Sequence, residues 1–522
     1  MATDSDAVVR EGLSSVTKGT LFLLVSTLVL VGLTFVSRVL VIRIITLSQW
    51  SAFSFGLTLA GVLAALGSLG LPNAIARSLP YASSDAERRT ILRATFWIGG
   101  VAALGGSVLL FVFAIPLGDT LGSSQIGVGL QYFSIAVGTS ILSTLIASVF
   151  QGYEDVAPNA LFIQIVNPAL FVVFVGVAAV SPAGLDYPTT LIAYAVANLV
   201  SLGLLVLYLV RRLPRHLGPG PLAPETLPRF LRFAAPLFVV SVMVAIIGSG
   251  DTLILGIYDS GEVGTYTVSL TLARLLQIGI TAAAYIFLPV ASRFLRQNER
   301  GPIATTYTTV TKWMILVSLP LFLIFVFLPA SSLAFVYGTK YSTIVLPLQI
   351  VVVGAFITTL LGPAPTAQVA FGQTRLLATN AIVAGIVDLV VAFALVPTYT
   401  YVGAAIAWGA ANATYTALSA FQLATLTRVH PFHRHFIVPV VATAVPVGLA
   451  LAVLHPTFSS YWGLGLPVLG LAIAGLFVLL VFATRSVDDG DRLLLEAIER
   501  MLGRPLPFLR RLGRYALRRR AP

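Results

Sequence analysis

Cysteine is absent from the 522-residue chain, which excludes disulfide bonds, thiolate nucleophiles and cysteine-ligated metal sites. Charged residues are also scarce: they make up 10% of the chain, against about 25% in a soluble globular domain. A chain of this length with so little charge cannot cover the polar surfaces of several soluble domains. A soluble enzyme, a disordered protein and a secreted scaffold are therefore excluded, and a polytopic membrane protein remains.

Apolar residues make up 57% of the chain. A membrane-spanning helix needs about 20 apolar residues, so roughly 14 spans fit, and we expect an all-α polytopic membrane protein. The apolar runs lie at about 17–45, 50–72, 91–115, 127–150, 160–181, 188–210, 234–257, 263–292, 310–330, 345–371, 378–396, 402–427, 436–454 and 463–484.

The basic residues indicate the orientation of the chain. Arginine dominates the net charge of +12, since the only lysines are Lys18, Lys312 and Lys340. Apart from arginines inside predicted spans, the basic residues fall at the N-terminus, in loops that follow even-numbered spans and in the tail; Lys312 is counted with the loop before the ninth span. Only Lys340 lies in a loop on the other face. The positive-inside rule therefore predicts a plasma-membrane protein with both termini in the cytoplasm.

Motifs for enzymatic chemistry are missing from the sequence. Nothing reads G-x-x-x-x-G-K-[ST], the phosphate-binding loop of ATP hydrolysis. The outer loops are short, and the longest, about 331–344, is too small to fold alone. We therefore expect a protein that is not an enzyme and needs no cofactor and no metal.

An internal repeat is visible at an offset of 213 to 214 residues. FSFGLTLA (53–60) matches YTVSLTLA (266–273), and YPTTLIAYAVAN (187–198) matches YVGAAIAWGAAN (401–412). The offset covers six predicted spans, an even number, so the two copies have the same orientation, as in the parallel repeats of some transporters. The predicted organisation is an N-lobe (1–210, spans 1–6), a cytoplasmic linker (211–233), a C-lobe (234–427, spans 7–12), two extra helices (428–484) and a basic amphipathic cytoplasmic tail (485–522).

The stretch FGQTRLLATNAIVAGIVDLVVAFALVPTYTYVGAAIAWGAAN (371–412) contains a glycine loop with Arg375, a Val-Pro stop and a GAAIA helix start. It resembles the polysaccharide-biosynthesis branch of the multidrug/oligosaccharidyl-lipid/polysaccharide exporter superfamily, the Wzx-type flippases of lipid-linked oligosaccharides. QGYEDVAPNALF (151–162) is similar to the matching loop of the first half. The resemblance implies two six-helix lobes around a central cavity that opens alternately inward and outward. Lipid II flippases of this superfamily carry cavity arginines on spans 1, 2 and 8; this chain matches on spans 1 and 8 but has no charge on span 2.

Charges inside predicted spans are candidates for function because each costs at least about 2.5–3.5 kcal/mol at mid-bilayer. Arg38 on span 1 and Asp251 on span 7 are repeat mates at offset 213. They are expected either to pair across the cavity until substrate phosphate competes for the arginine, or to form a static pair between the lobes.

Three further arginines are candidates for binding the headgroup phosphate. Arg274 lies near the middle of span 8 and is either a phosphate ligand or an arginine satisfied by helix carbonyls. Arg43 lies near the outer end of span 1 and either binds substrate or snorkels to the interface. Arg77, just past span 2, either guards the cytoplasmic entrance or sets the topology.

Coupling and gating candidates lie on spans 7 and 11. Asp388, in the middle of span 11, either carries a proton or cation or makes a structural hydrogen bond. Gly248 and Gly250 precede Asp251 and either permit a bend or allow close helix packing.

The predicted function is a flippase that moves a polyprenyl-(di)phosphate-linked sugar or oligosaccharide from the cytoplasmic to the outer leaflet by alternating access. The alternatives are a multidrug/cation antiporter of the same superfamily and a membrane-embedded glycan polymerase. Expected partners are the lipid-linked substrate, membrane lipids and glycosyltransferases of the same pathway; we expect a monomer that binds no nucleic acid. The basic stretch 508–520 is expected to lie on the anionic cytoplasmic leaflet.

Overall fold

The computed structural model describes residues 24–181, 184–213, 220–296, 301–458 and 465–487, together with 491 and 499. These residues form helices and connecting turns, with no β-strand among them. The amphipathic tail segment 488–503, apart from residues 491 and 499, and the basic stretch 508–520 lie outside this set.

The helices are numbered here along the chain. They are α1 (Leu24–Ile44), α2 (Leu47–Gly67), α3 (Leu71–Ser78), α4 (Asp85–Thr120), α5 (Ser124–Gly152), a π-helical segment (Asn159–Val166) that continues into α6 (Asn167–Val180), α7 (Tyr187–Arg212), α8 (Thr226–Tyr258), α9 (Val263–Leu276), α10 (Ile278–Arg296), α11 (Gly301–Phe327), α12 (Pro329–Tyr337), α13 (Val345–Leu360), α14 (Ala364–Ala370), α15 (Thr374–Thr427), α16 (Arg434–Phe458) and α17 (Gly465–Ala483).

Twelve helices of the described residues are long and apolar enough to cross a membrane, and a bent pair, Ser260–Leu276 with Ile278–Ala284, makes up to 13. The polytopic all-α prediction is confirmed. The fourteenth predicted span depends on α15, which has 54 residues and a non-helical backbone at Thr400. A straight helix of that length would measure about 80 Å, far more than the roughly 30 Å hydrocarbon core, so α15 is suited to cross twice. The count of 14 and the repeat stay predictions.

Local sequence sets the ends of α2. The Thr46 side chain accepts from the backbone N–H of Gln49 while the Gln49 side chain accepts from the backbone N–H of Thr46, a capping box that starts the helix. Gly70, at φ 69°, separates α2 from α3 in a left-handed conformation that favours glycine. A Cβ at Gly70 would lie 2.5 Å from the Phe238 nitrogen and 2.7 Å from the Ala234 oxygen of α8, so glycine also permits this close approach.

The chain forms two compact units, and each has its own core. The first comprises 25–267 and 388–404. In it, four aromatic rings from α2, α5, α6 and α7 pack with centroids 5.2–6.3 Å apart: Phe53, Phe133, Phe171 and Tyr194. Such pairs add to the burial of apolar area that holds these helices together.

The second unit includes 268–387 and 405–522 and contains a buried lysine. Lys312 lies inside α11 and is 1% exposed, so its assignment to a loop was wrong. Its Nζ donates to the Asp491 carboxylate at 2.7 Å and to the Ser486 carbonyl at 2.9 Å. The Trp313 indole N–H donates to the other Asp491 oxygen. The charge is tolerated because it is paired and hydrogen-bonded.

We predict that Asp491→Asn lowers the free energy of unfolding by about 3 kcal/mol, because it leaves the buried Lys312 ammonium without its counter-charge. Thermal unfolding in detergent measures the loss. The double variant Lys312→Met, Asp491→Leu is the control and should recover most of the stability, since no buried charge remains. An unchanged melting temperature for Asp491→Asn would contradict the structural role of this pair.

The absence of cysteine allows a direct test of orientation. Tyr81 is 82% exposed in the predicted cytoplasmic loop after α3, and Ser124 is exposed at the start of α5 on the predicted outer side. We expect Ser124→Cys to react with a membrane-impermeant maleimide in intact cells, and Tyr81→Cys to react only after permeabilisation. The opposite labelling pattern would show that the chain has the reverse orientation in the membrane.

Candidate functional site

Asp251 is fully buried on α8 and is held by a tyrosine that sequence reasoning missed. The hydroxyl of Tyr266, one turn into α9, donates to Asp251 Oδ2. Tyr266 is itself fully buried. A buried carboxyl group requires such a partner, because a polar group removed from water without a hydrogen bond is strongly destabilising.

Asp388 of α15 is brought to the same place as Asp251. A Cβ at Gly250, the residue before Asp251, would lie 2.6 Å from Asp388 Oδ2. Asp388 is fully buried, and neither carboxyl oxygen has a hydrogen-bond partner among the described residues. The structural hydrogen bond considered for Asp388 stays a prediction. Two ionised carboxylates this close repel each other, so the pair is suited to hold a proton or a small cation.

The glycines before Asp251 differ in their surroundings. Nothing lies within 4 Å of a Cβ at Gly248, whereas one at Gly250 would meet Asp388 and Ile246. The backbone of α8 is continuous through both positions. Close packing therefore explains Gly250, and a bend at this point stays a prediction for another conformation.

Arg38 is half-buried on α1 and lies near the aromatic core of the first unit. Its positive charge is close enough to act on the hydroxyl of Tyr194, a member of that core. The predicted pairing of Arg38 with Asp251 stays a prediction.

Arg43 and Arg77 lie at helix ends. Arg43 is exposed in the last turn of α1, a position from which an arginine snorkels to the interface. Arg77 is exposed on α3, and its guanidinium carbon lies 4.5 Å from the ring centroid of Phe233 on α8. This cation–π contact lies near the close approach at Gly70, where α2 and α3 meet α8.

Arg274 is exposed in the last turn of α9. The chain bends by 42° between α9 and α10, and the Arg274 carbonyl accepts from the N–H of Gln277 at this bend. Arg274 therefore lies inside a predicted span, next to a break in the helix.

A contact between α2 and the α8–α9 region was also missed. The Ser51 hydroxyl donates to the Gly261 carbonyl at 2.6 Å and accepts from the Gly264 N–H at 2.9 Å. The Thr267 hydroxyl donates to Ser54 at 3.1 Å. In each of two pairs the partners are 213 residues apart in the sequence, which is the repeat offset: Ser51 with Gly264, and Ser54 with Thr267. The predicted repeat could have pointed to this contact, because repeat mates that lie on a twofold axis would touch each other.

Residues 16–295 match the sequence model of the family described as "Polysaccharide biosynthesis protein", which is just over half of the chain. The chain belongs to this family. No curated protein matches the sequence.

Several solved structures share the fold. A lipid II flippase MurJ in an inward closed conformation aligns with a TM-score of 0.68 and 14% identity over 87% of this chain and 97% of that chain. An inward-facing multidrug resistance MATE family transporter aligns with a TM-score of 0.59 and 14% identity over 80% and 94% of the two chains. A MOP superfamily transporter from Pyrococcus furiosus, whose binding pocket is described as of reverse polarity, has a TM-score of 0.54 and 16% identity over 79% and 95%. These TM-scores, over most of each chain, show a common fold.

The two glycines give a matched test of the carboxyl pair. Gly250→Ala should displace the Asp388 carboxyl group and lower the free energy of unfolding by about 1 kcal/mol through overpacking. Gly248→Ala should leave stability unchanged or raise it by up to about 1 kcal/mol, because alanine favours the helix. Thermal unfolding in detergent distinguishes the two variants, and equal effects would refute the packing of Asp388 on Gly250.

Proposed function

We propose that this protein is a flippase that moves a polyprenyl-(di)phosphate-linked sugar or oligosaccharide from the cytoplasmic leaflet to the outer leaflet. The observation that carries the proposal is Arg274, an exposed arginine inside a bent span of a chain from the polysaccharide biosynthesis family. An arginine exposed to lipid tails is costly, so Arg274 is expected to face water and an anionic ligand. Guanidinium keeps its charge at any relevant pH and binds phosphate oxygens in pairs.

The proposed transport cycle is alternating access between the N-lobe (1–210) and the C-lobe (234–427), joined by the linker 211–233. The helix boundaries support the duplication. Helix α7 begins at Tyr187, and the backbone of α15 is interrupted at Thr400, so these two positions differ by the repeat offset. Residues 428–484 and the tail 485–522 are additions to the two lobes. The shared fold with MurJ and MATE transporters agrees with such a cycle.

Arg38, Arg43 and Arg77 complete the proposed set of phosphate ligands. Arg38 is half-buried on α1, the first helix of its lobe, and is the one expected to hold the headgroup during translocation. Arg43 is exposed at the end of α1 and Arg77 is exposed on α3, and both are suited to attract the anionic headgroup on entry or release.

Coupling is assigned to Asp251 and Asp388. The two buried carboxyl groups meet over Gly250, and uptake of a proton or cation would relieve their repulsion. Release of that proton or cation would restore the repulsion and favour separation of α8 from α15. The coupling site thus binds a positively charged ion, while the substrate site binds a negatively charged headgroup.

A multidrug/cation antiporter is the second candidate, and the buried Asp251–Asp388 pair is the observation that favours it. A cation-binding antiporter needs acidic groups that its substrate can reach. Both carboxyl groups are fully buried, whereas Arg274 is exposed, so the arrangement favours an anionic substrate with a small coupling ion.

We place the protein in the plasma membrane with both termini in the cytoplasm, where glycosyltransferases of the same pathway would deliver the substrate. It works as a monomer, takes no part in bond breaking and has no role in binding nucleic acid. The glycan polymerase alternative would need a catalytic outer domain, and the connections between described helices on that side are short.

The proposal is tested by depleting the protein from its own cells. A polyprenyl-linked sugar should then accumulate on the cytoplasmic leaflet, detected by its protection from an external periodate or lectin. Accumulation of that lipid on the outer leaflet, or no accumulation, would reject the flippase proposal.

Arg274→Ala should lower flipping of a fluorescent polyprenyl-diphosphate sugar in proteoliposomes by about 10- to 100-fold, the loss expected for one hydrogen-bonded charge. Arg274→Lys should retain part of the activity. Arg229→Ala, at an exposed position near the start of α8, is the control and should be active. Normal flipping by a properly inserted Arg274→Ala protein would show that Arg274 does not bind the substrate.

A further inference from the structure

Polar side chains inside the first unit form an amide cluster that the proposed transport cycle does not use. The hydroxyls of Ser26 and Thr27 on α1 donate to Gln164 Oε1 at 2.8 and 3.1 Å. One turn further along the chain, the Asn167 side-chain amide donates to Asn198 Oδ1 at 3.1 Å. The amide cluster therefore connects α1, the π-helical segment, α6 and α7 within this one unit.

The amide cluster lies deep in the predicted spans. Gln164 and Asn167 fall inside the predicted span 160–181, and Asn198 lies near the middle of α7, about 16 Å from its start. Ser26 is fully buried and Asn198 is 8% exposed, so the cluster faces other helices. Polar side chains at this depth are costly against lipid tails, and they face the interior of the bundle or a water-filled cavity.

Two groups of the amide cluster have no hydrogen-bond partner among the described residues. Gln164 uses its oxygen to accept from α1, while its Nε2 amide donates to no described group. Asn167 uses its amide to donate to α7, while its Oδ1 accepts from no described group. Both side chains are half-buried, and these two atoms are not fully enclosed as the carboxyl oxygens of Asp388 are. A ligand thus meets N–H donors on one side chain and a carbonyl acceptor on its neighbour.

This pairing of a donor with an acceptor favours hydroxyl groups as the ligand. A hydroxyl group both donates and accepts, whereas an ionised phosphate oxygen only accepts and a hard metal cation requires oxygen ligands alone. The five side chains of the amide cluster are all uncharged. Neighbouring hydroxyls of a sugar ring are uncharged and supply both functions.

Aromatic rings adjoin the amide cluster on the same two helices. Phe171 lies one turn after Asn167 on α6, and Tyr194 lies one turn before Asn198 on α7. Their ring centroids are 5.3 Å apart, and the Asn198 amide donates to the Tyr194 carbonyl at 2.9 Å. Tyr194 is half-buried. A half-buried ring beside a few placed polar groups is typical of a binding site for a small organic molecule.

The backbone of the π-helical segment places these side chains. This segment, Asn159–Val166, is followed by Pro168, which has no N–H to donate to the preceding turn. The Ser201 hydroxyl of α7 donates to the Phe162 carbonyl at 2.8 Å and so fixes the segment against its neighbour. Segments of π-helix are rare and are found frequently at functional sites.

We propose that the amide cluster binds the sugar of the lipid-linked substrate. Gln164 donates to one ring hydroxyl, Asn167 accepts from a neighbouring hydroxyl, and Tyr194 packs against the C–H groups of the ring. This inference rests on the proposed function and adds to it the residues that distinguish a sugar-bearing lipid from the bare carrier lipid. A site built to hydrogen-bond a hydroxyl group discriminates strongly against a ligand that lacks one.

The experiment measures binding to the full chain in detergent by fluorescence polarisation. The probes are fluorescent polyprenyl diphosphates that carry glucose, galactose, N-acetylglucosamine or no sugar. The native protein should bind at least one sugar-bearing probe about 10-fold more tightly than the bare polyprenyl diphosphate.

Two glutamine variants test whether the amide cluster is responsible for this preference. Gln164→Leu removes the free amide and should reduce the preference to about equal affinities for the bare and sugar-bearing probes. Gln349→Leu is the matched control, because Gln349 is also half-buried in a predicted span but donates its amide to the Val326 carbonyl at 2.8 Å. This control should retain the native preference.

Equal binding of the bare probe and all three sugar-bearing probes by the native protein would overturn the proposal, as would equal effects of the two glutamine variants. The native comparison keeps the test decisive if Gln164→Leu does not fold. Flipping of the same probes is measured separately in proteoliposomes. A sugar preference without flipping would support the sugar site and reject the flippase, whereas flipping without any sugar preference would do the reverse.

Discussion

Hydrocarbon cannot solvate charge, and this constraint explains where the chain places each of its few ionisable side chains within spans. Lys312 is buried and therefore bonded to Asp491 and to a carbonyl. Asp251 is buried and accepts a hydrogen bond from Tyr266. Arg274 is exposed next to a break in its span. Lys312 and Asp251 thus have structural partners, whereas buried Asp388 has no hydrogen-bond partner among the described residues and Arg274 is exposed, so these last two are the charges that most need a functional explanation.

The repeat offset connects the sequence to the contact between α2 and α9. A duplicated protein with parallel halves has a pseudo-twofold axis along the membrane normal, and residues on that axis are close to their own repeat mates. Ser51 bonds to Gly264 and Ser54 bonds to Thr267, both at 213 residues. Arg38 and Asp251 have the same offset. In the proposed cycle these contacts lie where the two repeats meet, so their breakage is a requirement for opening on that side.

Much of the fold could be predicted from the sequence, since apolar runs and basic loops report directly on the bilayer. The predicted spans overlap the helices from α1 to α17, while the outer position of Arg43 stays a prediction. The burial of Lys312 could not be predicted, because it depends on Asp491, which lies 179 residues later in the chain. The meeting of Asp251 with Asp388 was also out of reach, because it depends on the packing of helices far apart in sequence and on the absence of a side chain at Gly250.

The two parts of the candidate site are connected through one helix. Tyr266, which donates to Asp251, lies near the start of α9, and Arg274 lies eight residues later in its last turn, about 12 Å along the helix. In the proposed mechanism, a proton or cation on the Asp251–Asp388 pair changes how strongly the carboxylate of Asp251 holds the Tyr266 hydroxyl. In that mechanism α9 itself, a continuous helix from Val263 to Leu276, would carry the change from Tyr266 to the turn that contains Arg274. In the proposed mechanism the coupling ion therefore need not touch the anionic substrate, so acidic and basic groups would serve one transport cycle without neutralising each other.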